Sequence, residues 1–329
     1  MKEYEIRPKA TFDEFLEISL READRLFPDK SAFVEIRCPA CDSPDSRPEF
    51  SKCGFGYKCC PACGSLFMSP RPRPEAMDAY YRDSEAMSHW ARVFYKETEA
   101  VRREQILRPR AGLAGEWAEK LGLRGPFVDV GSGFGVLLEE VRDLRVFEKV
   151  IGVEPSAELA ALCRKRGFEI LERKAEEVGD REVEAVFATS FEVIEHVFDP
   201  AEFLGAIRRL LRPGGVVLFT TLTISGFDML ELWAESKSIF PPHHVNLMST
   251  RGIRKMVERS GLELLDLSTP GQLDVDIVRN MLEGNPGLPV SRFAREISGA
   301  SEEIREGFQE FLRENLLSSH VRVVARRSA

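Results

Sequence analysis

The sequence predicts an α/β fold in which a parallel sheet carries helices on both faces. Between residues 126 and 221, short apolar runs alternate with helical patterns, as expected for successive strand–helix–strand units. The first apolar run, residues 127–130, breaks into closely spaced glycines and is followed by a helical pattern. Acidic or hydroxyl residues follow several of these runs, at the edge of the sheet where such folds bind ligands.

The glycine turn after the first strand reads D-x-G-x-G-x-G, with Asp129, Gly131, Gly133 and Gly135 in the fixed positions. Glycine permits positive φ and lets the backbone approach a ligand closely. The following helix start offers unpaired N–H groups at a partly positive end. A dinucleotide-binding motif would need G-x-G-x-x-G, but position 136 is Val. The spacing therefore argues against dinucleotide binding.

The second strand, residues 150–153, ends at Glu154, where a carboxylate can accept both hydroxyls of a ribose. This acid and the glycine turn together resemble the class I S-adenosylmethionine-dependent methyltransferases. The resemblance implies a Rossmann-like, seven-stranded methyltransferase sheet over residues 123–329, with a helical insertion at about 275–318. The alternative is a glycine turn that serves only packing.

The resemblance implies a cofactor site for S-adenosylmethionine. In that family the glycine loop packs on the methionine part, the acid after strand two binds the ribose, and a segment after strand three binds adenine. Carried onto this sequence, the cofactor-binding candidates are Asp129, Gly131, Ser132, Gly133, Gly135, Glu154, Pro155, Ala175, Glu176, Ser190 and Phe191.

An E-x-x-E-H segment, Glu192, Glu195 and His196, follows the fourth strand. Two carboxylates and an imidazole can bind a divalent cation or supply a general base. The segment resembles the ubiquinone-biosynthesis O-methyltransferases, some of which associate these residues with a divalent cation. We therefore expect a cation at these three residues or a catalytic role for His196. The alternative is that the pair has neither a catalytic nor a metal-binding role. An acid followed by histidine at this position is common to methyltransferases that act on diverse substrates.

A long loop is predicted over residues 222–248, and it contains the adjacent pair His243 and His244. Long loops beyond a strand end are usual places for binding groups. Either imidazole could take a proton from a hydroxyl, so both are further catalytic candidates. A surface or capping role is the alternative for either one.

Six of the seven cysteines lie between residues 38 and 63. Cys38 and Cys41 form one C-x-x-C pair and Cys60 and Cys63 another, as in a zinc ribbon with a tetrahedral, structural site. The N-terminus lacks a signal-peptide core, so metal is favoured over disulfides. Cys53 and Cys59 are extra; Cys59 could replace Cys60, although the spacing favours Cys60. Reduced, metal-free cysteines are the alternative.

Four parts are predicted along the chain. They are an N-terminal helical segment (1–36), the zinc ribbon (37–70), a helical linker or lid (71–122) and the methyltransferase domain (123–329). The first helix is expected to start at a capping box beginning with Thr11 and to end at Pro28. Aromatic residues of the third part are lid candidates or ordinary core residues: Tyr80, Tyr81, His89, Trp90 and Tyr95.

The charge and the apolar content of the sequence limit the classes of partner that we expect. The net charge of −8 does not favour nucleic acid, and no run approaches the roughly 18 apolar residues of a membrane span. We therefore expect a cytoplasmic methyltransferase for a small molecule, with a sugar or a surface-polysaccharide or secondary-metabolite precursor as the candidate acceptor. A ribbon joined to such a domain is similar to the deoxysugar C-methyltransferases. A nucleic-acid methyltransferase whose ribbon holds RNA, and a non-catalytic cofactor-binding scaffold, are the alternatives.

Overall fold

The computed structural model describes residues 3–6 and 8–328. Its internal contacts divide the chain into two compact units, which we name the sheet unit and the ribbon unit. The sheet unit comprises Ala100–Thr221, Arg254–Leu267 and Arg322–Ala329, and the ribbon unit comprises Met1–Glu99, Leu222–Ile253 and Ser268–Val321. These units cut across the four predicted parts, whose boundaries stay a prediction.

The helices and strands are numbered in chain order. The α-helices are α1 (Glu3–Ile6), α2 (Lys9–Leu26), α3 (Pro74–Asp83), α4 (Glu85–His89), α5 (Tyr95–Arg102), α6 (Arg108–Lys120), α7 (Val136–Leu144), α8 (Ala157–Lys165), α9 (Pro200–Leu210), α10 (Phe227–Leu232), α11 (Thr250–Arg259), α12 (Asp274–Gly284), α13 (Arg292–Gly299) and α14 (Glu302–Glu314). The strands are β1 (Arg47–Lys52), β2 (Phe55–Cys59), β3 (Leu66–Met68), β4 (Pro126–Val130), β5 (Lys149–Val153), β6 (Glu169–Leu171), β7 (Ala185–Phe191), β8 (Leu211–Leu222), β9 (Asn246–Leu247), β10 (Leu262–Ser268) and β11 (His320–Arg327).

The sheet unit is built on seven strands in the order β10-β11-β8-β7-β4-β5-β6. The pairs β6–β5, β5–β4, β4–β7 and β7–β8 are parallel. Apolar side chains from β4, β7 and the flanking helices fill its core, among them Phe127, Phe187, Leu138 and Ala160. The predicted α/β, Rossmann-like class is confirmed. Because neighbouring parallel strands end at one edge, this order gathers the ends of β4, β5 and β7.

The ribbon unit carries a four-stranded sheet in the order β1-β2-β3-β9, with every pair antiparallel. Its core contains Phe55, Tyr57, Leu66 and Leu247. Strand β9 and helix α10 lie within residues 222–248, so the prediction of a long loop there is wrong. The pairing of β9 with β3 explains the error, because a two-residue strand has no periodicity to detect.

Helix α2 begins at Lys9 after Pro8, so the predicted capping box at Thr11 is wrong. The Thr11 hydroxyl lies one turn inside the helix and donates to Glu97 Oε2 over 2.9 Å. The predicted helical insertion forms α12, α13 and α14, which share an apolar cluster with Phe227 and Leu232 of α10. Among the described residues, no helix is both long enough and apolar enough to cross a bilayer. The cytoplasmic location stays a prediction.

Candidate functional site

The glycine loop between β4 and α7 is packed tightly on its flanks and open at its middle. Gly131 has φ +83°, and a Cβ there would lie 2.6 Å from Val193 Cγ2. At Gly135 a Cβ would lie 2.9 Å from Cys163 Sγ. Gly133 has φ +54°, and no described atom lies within 4 Å of the position of its Cβ. The loop therefore leaves room for a ligand at Gly133.

Glu154 joins the end of β5 to this loop. One carboxylate oxygen, Oε2, accepts a hydrogen bond from the Gly133 N–H at 2.8 Å. The other, Oε1, accepts from the Ser156 N–H at 2.9 Å. Burial raises the pKa of Glu154 above its usual range. Each carboxylate oxygen can accept a further hydrogen bond, so the side chain keeps capacity for two ligand hydroxyls.

Asp129, at the end of β4, is 3% exposed. Its Oδ1 accepts a hydrogen bond from Thr189 Oγ1 at 2.7 Å. Burial raises the pKa of Asp129 to about 7, and the charge of Glu154 adds to the shift. The Ser132 hydroxyl donates to the Asp129 carbonyl oxygen at 2.9 Å, which fixes the start of the loop.

Two residues of this site were missed by sequence reasoning. Thr189 precedes the predicted Ser190, and its position at the end of a strand was the available signal. Gly152 lies within β5, where a Cβ would lie 2.5 Å from Ile170 Cδ1 and 2.6 Å from Ser132 Oγ. A glycine inside an apolar strand is the sign of such close approach.

The remaining cofactor candidates lie in the sheet unit. Ser190 is buried, and its hydroxyl has no hydrogen-bond partner among the described residues. Ala175 is buried and Glu176 half-buried on a short 3₁₀ turn, and burial raises the pKa of Glu176. Pro155 is exposed and Phe191 half-buried. A buried hydroxyl without a partner fits a site that a polar ligand completes.

Glu192 follows β7 in a left-handed backbone conformation, with φ +56°. Its Oε1 accepts hydrogen bonds from Arg110 Nη2 at 2.6 Å and from Thr220 Oγ1 at 2.7 Å. The Arg110 guanidinium also lies over the Phe191 ring, 4.8 Å from the ring centre. Arg110 was missed because it lies 82 positions before Glu192, beyond any local motif.

Glu195 is 1% exposed, and its Oε2 accepts from Thr221 Oγ1 at 2.8 Å. Burial raises the pKa of Glu195 to about 8, and the charge of Glu192 adds to the shift. A carboxylate oxygen of Glu195 and a ring nitrogen of His196 lie within 4.8 Å of each other. Within the described part of the chain, Glu192 does not join these two in a group of equally close ligand atoms. The Glu192 and Glu195 carboxyl groups nevertheless face each other, so the structure brings the predicted cation ligands together in pairs and not as one group of three.

His243 and His244 belong to the ribbon unit. His243 is 3% exposed, its Nε2 lies 2.7 Å from the Tyr80 hydroxyl, and its ring stacks on Phe240 with centres 5.3 Å apart. His244 Nδ1 lies 2.6 Å from the Ser238 carbonyl oxygen. Both imidazoles are thus held by groups of their own unit, and their catalytic role stays a prediction.

The four predicted zinc-ligand cysteines form one cluster, with Sγ atoms within 4.8 Å of one another: Cys38, Cys41, Cys60 and Cys63. The Cys38–Cys63 and Cys41–Cys60 sulfur pairs are each 3.6 Å apart. A tetrahedral zinc site with bonds of about 2.3 Å has sulfurs about 3.8 Å apart. The cluster therefore fits zinc, whereas Cys53 and Cys59 lie outside it.

Local turns hold these sulfurs in place. The Asp42 N–H donates to the Cys38 carbonyl at 2.8 Å, and the Gly64 N–H donates to the Cys60 carbonyl at 2.7 Å. Gly64 has φ +79°, which closes the second turn. Each C-x-x-C pair thus forms a tight knuckle.

Residues 101–267 match a family model described as "Methyltransferase domain". The chain belongs to the methyltransferase family. The matched segment contains all the strand-end candidates of the sheet unit, including Asp129, Glu154 and Glu195. It contains none of the four clustered cysteines. The class I S-adenosylmethionine-dependent family predicted from the glycine loop is thereby confirmed.

Named relatives agree with this methyltransferase assignment. The chain is 34% identical over 130 residues to a ubiquinone biosynthesis O-methyltransferase of Methylococcus capsulatus, covering 37% of this chain and half of the relative. It is 30% identical over 187 residues to the protein of that name from Dinoroseobacter shibae, covering 50% of this chain and 72% of the relative. A solved geranyl diphosphate methyltransferase in complex with SAM superposes with a TM-score of 0.44 at 17% identity, covering 67% and 85% of the two chains. That likeness is too low to add to the assignment.

Proposed function

We propose that this methyltransferase domain transfers the methyl group of S-adenosylmethionine to a hydroxyl of a small molecule. The observation that carries the proposal is the pairing of Glu154 with the Gly133 N–H, beside the open space at Gly133. This pairing joins an acid able to take ribose hydroxyls to a loop that admits a ligand. The family match to residues 101–267 supports it.

When bound, the cofactor supplies a methyl group made electrophilic by its sulfonium. The Glu154 oxygens would accept hydrogen bonds from the ribose hydroxyls, and the backbone around Gly133 would hold the methionine part. The Ser190 hydroxyl would gain the partner that it lacks among the described residues. Ala175 and Glu176 would hold the adenine. These contacts orient the methyl group for in-line attack, which is the main contribution expected of the protein.

His196 is the base that we propose for the acceptor hydroxyl. Its ring nitrogen would take the hydroxyl proton while the acceptor oxygen gains the methyl group and the sulfonium–methyl bond breaks, leaving S-adenosylhomocysteine. The adjacent Glu195 carboxyl, fixed by Thr221, limits the positions of the ring. His243 and His244 are the remaining predicted candidates for this proton. Replacing each of the three histidines by Gln ranks them, because only loss of the true base lowers the rate with little change in KM.

The acceptor that we propose is a sugar, or a precursor of a surface polysaccharide or secondary metabolite. The support is indirect: the similar relatives are named O-methyltransferases, and such acceptors offer hydroxyl groups. The net charge of −8 favours a small acceptor over RNA.

A labelled-methyl transfer assay tests the proposal. Full-length protein is incubated with methyl-labelled S-adenosylmethionine and, in separate arms, a nucleotide-linked sugar panel, a phenol panel and bulk tRNA. Label in a small-molecule hydroxyl is expected, and at sub-saturating cofactor the Glu154→Gln variant should transfer less of it. Label in RNA would replace the proposal with the nucleic-acid alternative. Saturable cofactor binding without transfer to any arm would favour the scaffold alternative.

We also propose that the four clustered cysteines hold a structural Zn²⁺. A site closed by four protein sulfurs leaves no position for substrate, so its role is to hold the ribbon folded. Elemental analysis of purified protein is expected to give one zinc per chain. Absence of zinc and of any other thiophilic metal from freshly purified protein would reject the site.

A further inference from the structure

Arg110 is the positively charged side chain that contacts the acid segment after β7. It lies on α6, and its side chain is 17% exposed. Its Nη2 donates to Glu192 Oε1 at 2.6 Å, and its guanidinium covers the Phe191 ring. One side chain thus contacts two consecutive residues at the strand end where the cofactor candidates gather.

The carboxylates of this segment already have protein donors. Glu192 Oε1 accepts from both Arg110 and Thr220, and Glu195 Oε2 accepts from Thr221. A divalent cation at Glu192 would have to displace these donors and stand next to a guanidinium. Like charges at such short distances repel each other, and the double charge of a divalent ion doubles the repulsion.

The backbone conformation of Glu192 is consistent with an ion pair to Arg110 that holds this residue in place. The left-handed region is strained for residues other than glycine, and Glu192 adopts it with φ +56°. Such strain persists only where surrounding contacts determine the conformation. The Glu192 N–H donates to the Thr220 carbonyl at 3.1 Å, so side chain and backbone are both anchored to β8.

We propose that the Arg110 guanidinium takes the place of a divalent cation at Glu192, supplying the positive charge there and excluding a metal ion from this carboxylate. Arg110 is then a positioning residue, which holds Glu192 against β8. On this proposal, the cation predicted from the E-x-x-E-H segment does not bind at Glu192.

Measurement of Mn²⁺ binding tests the proposed role of Arg110 without a methyl-transfer assay. Free Mn²⁺ is followed by its electron paramagnetic resonance signal during titration of the zinc-loaded, full-length protein. Wild type, Arg110→Gln, Arg110→Lys and the double variant Arg110→Gln/Glu192→Gln are compared. Arg108→Gln is the matched control, because Arg108 lies on the same helix and pairs with Glu140 and Glu104 instead. Cofactor-product affinity is measured separately, so a failure of the proposed function is distinguished from a failure of this inference.

Arg110→Gln is expected to bind Mn²⁺ at least about tenfold more tightly than wild type, because the competing charge is gone. The Lys variant and the Arg108 control should bind as wild type does, and the double variant should lose the gain. Equal affinity of wild type and Arg110→Gln would overturn the proposal, as would a gain that survives removal of Glu192. If Arg110→Gln does not fold, wild type and Glu192→Gln are compared. Their Mn²⁺ binding should be equal, and weaker binding in Glu192→Gln would overturn the proposal.

Discussion

The two units bury ionisable groups in different ways. In the sheet unit, each buried acid at the strand ends has a donor from the same unit. Asp129 faces the Thr189 hydroxyl, Glu154 faces two backbone N–H groups, and Glu195 faces the Thr221 hydroxyl. Polar groups placed by neighbouring strands thus satisfy the acids before any ligand arrives.

In the ribbon unit, two sets of buried groups of one kind face each other, although another buried acid there, Glu22, accepts hydrogen bonds from Ser84 and Ala86. The four cysteine sulfurs lie together, and the fully buried Asp228 lies beside the charge of Asp274. Neither Asp228 oxygen has a hydrogen-bond partner among the described residues. Such arrangements need an added species, a metal ion for the sulfurs and a proton for the acids. The ribbon unit should therefore depend on its solution conditions much more than the sheet unit does.

The largest difference between the two units is expected when one of the four clustered cysteine sulfurs is removed. Cys60→Ser is expected to lose nearly all bound zinc, because three thiolates and a hydroxyl hold the ion far more weakly. The ribbon unit should then unfold at a lower temperature or lose its fold outright. The sheet unit should keep its affinity for S-adenosylhomocysteine. Elemental analysis, thermal unfolding and calorimetric titration measure the three quantities.

Cys59→Ser is the matched control, since Cys59 is the neighbouring residue and lies outside the cluster. It should retain one zinc per chain and unfold like wild type. A Cys60→Ser protein with a full equivalent of zinc would show that the ligand set is wrong.

The second-largest effect is expected in the glycine loop of the sheet unit. Gly131→Ala places a methyl group 2.6 Å from Val193 Cγ2 at φ +83°. Left-handed strain and overpacking together should cost roughly 2–5 kcal/mol of unfolding free energy. The displaced loop should also bind S-adenosylhomocysteine poorly. Chemical denaturation and calorimetric titration measure both effects.

The variant Gly133→Ala distinguishes the effect of left-handed backbone strain from that of steric overlap with a neighbouring side chain. Its φ is also positive, at +54°, but no described atom lies within 4 Å of the new methyl group. It should lose less stability than Gly131→Ala, and Val193→Ala should partly rescue only the latter. Equal losses at both glycines would mean that the contact with Val193 has no importance.

Local sequence patterns explain why much of the fold was predictable. The glycine spacing and the acid after β5 are short-range features, and the structure places them at adjacent strand ends. The C-x-x-C pairs are equally local, and the structure brings their sulfurs together. In each case a turn of a few residues fixes the geometry, so the spacing carries most of the information.

The missed features depend on contacts distant in sequence. Arg110 reaches Glu192 across 82 positions, and β9 joins β3 from far along the chain. Tertiary packing determines both of these contacts, and local residue preferences do not reveal it. The capping-box prediction at Thr11 failed for a local reason instead, because α2 begins at Lys9, directly after Pro8.

Glu154→Gln tests whether the Glu154 carboxylate binds the ribose of the cofactor in addition to accepting hydrogen bonds from its own unit. The amide nitrogen cannot accept a hydrogen bond, so either a backbone N–H or a ribose hydroxyl loses its acceptor. S-adenosylhomocysteine should bind more weakly by roughly 1–3 kcal/mol, the range for hydrogen bonds to charged groups. Glu158→Gln, an exposed change on α8, should leave calorimetric affinity unaltered. Wild-type affinity in Glu154→Gln would remove this residue from the ribose role.

The last expected change is a difference in pH dependence within the ribbon unit. Burial raises the pKa of Asp228 well above its usual range, and the charge of Asp274 adds to this. The folded state therefore binds a proton that the unfolded state releases above about pH 4. Stability should fall as pH rises, by at most about 1.4 kcal/mol per pH unit for one proton. Asp228→Asn removes this proton, so its unfolding free energy should fall less between pH 5 and pH 8. Asp276→Asn, a half-buried change on α12, should keep the wild-type slope, and parallel slopes for Asp228→Asn and wild type would mean that Asp228 is ionised in the folded protein.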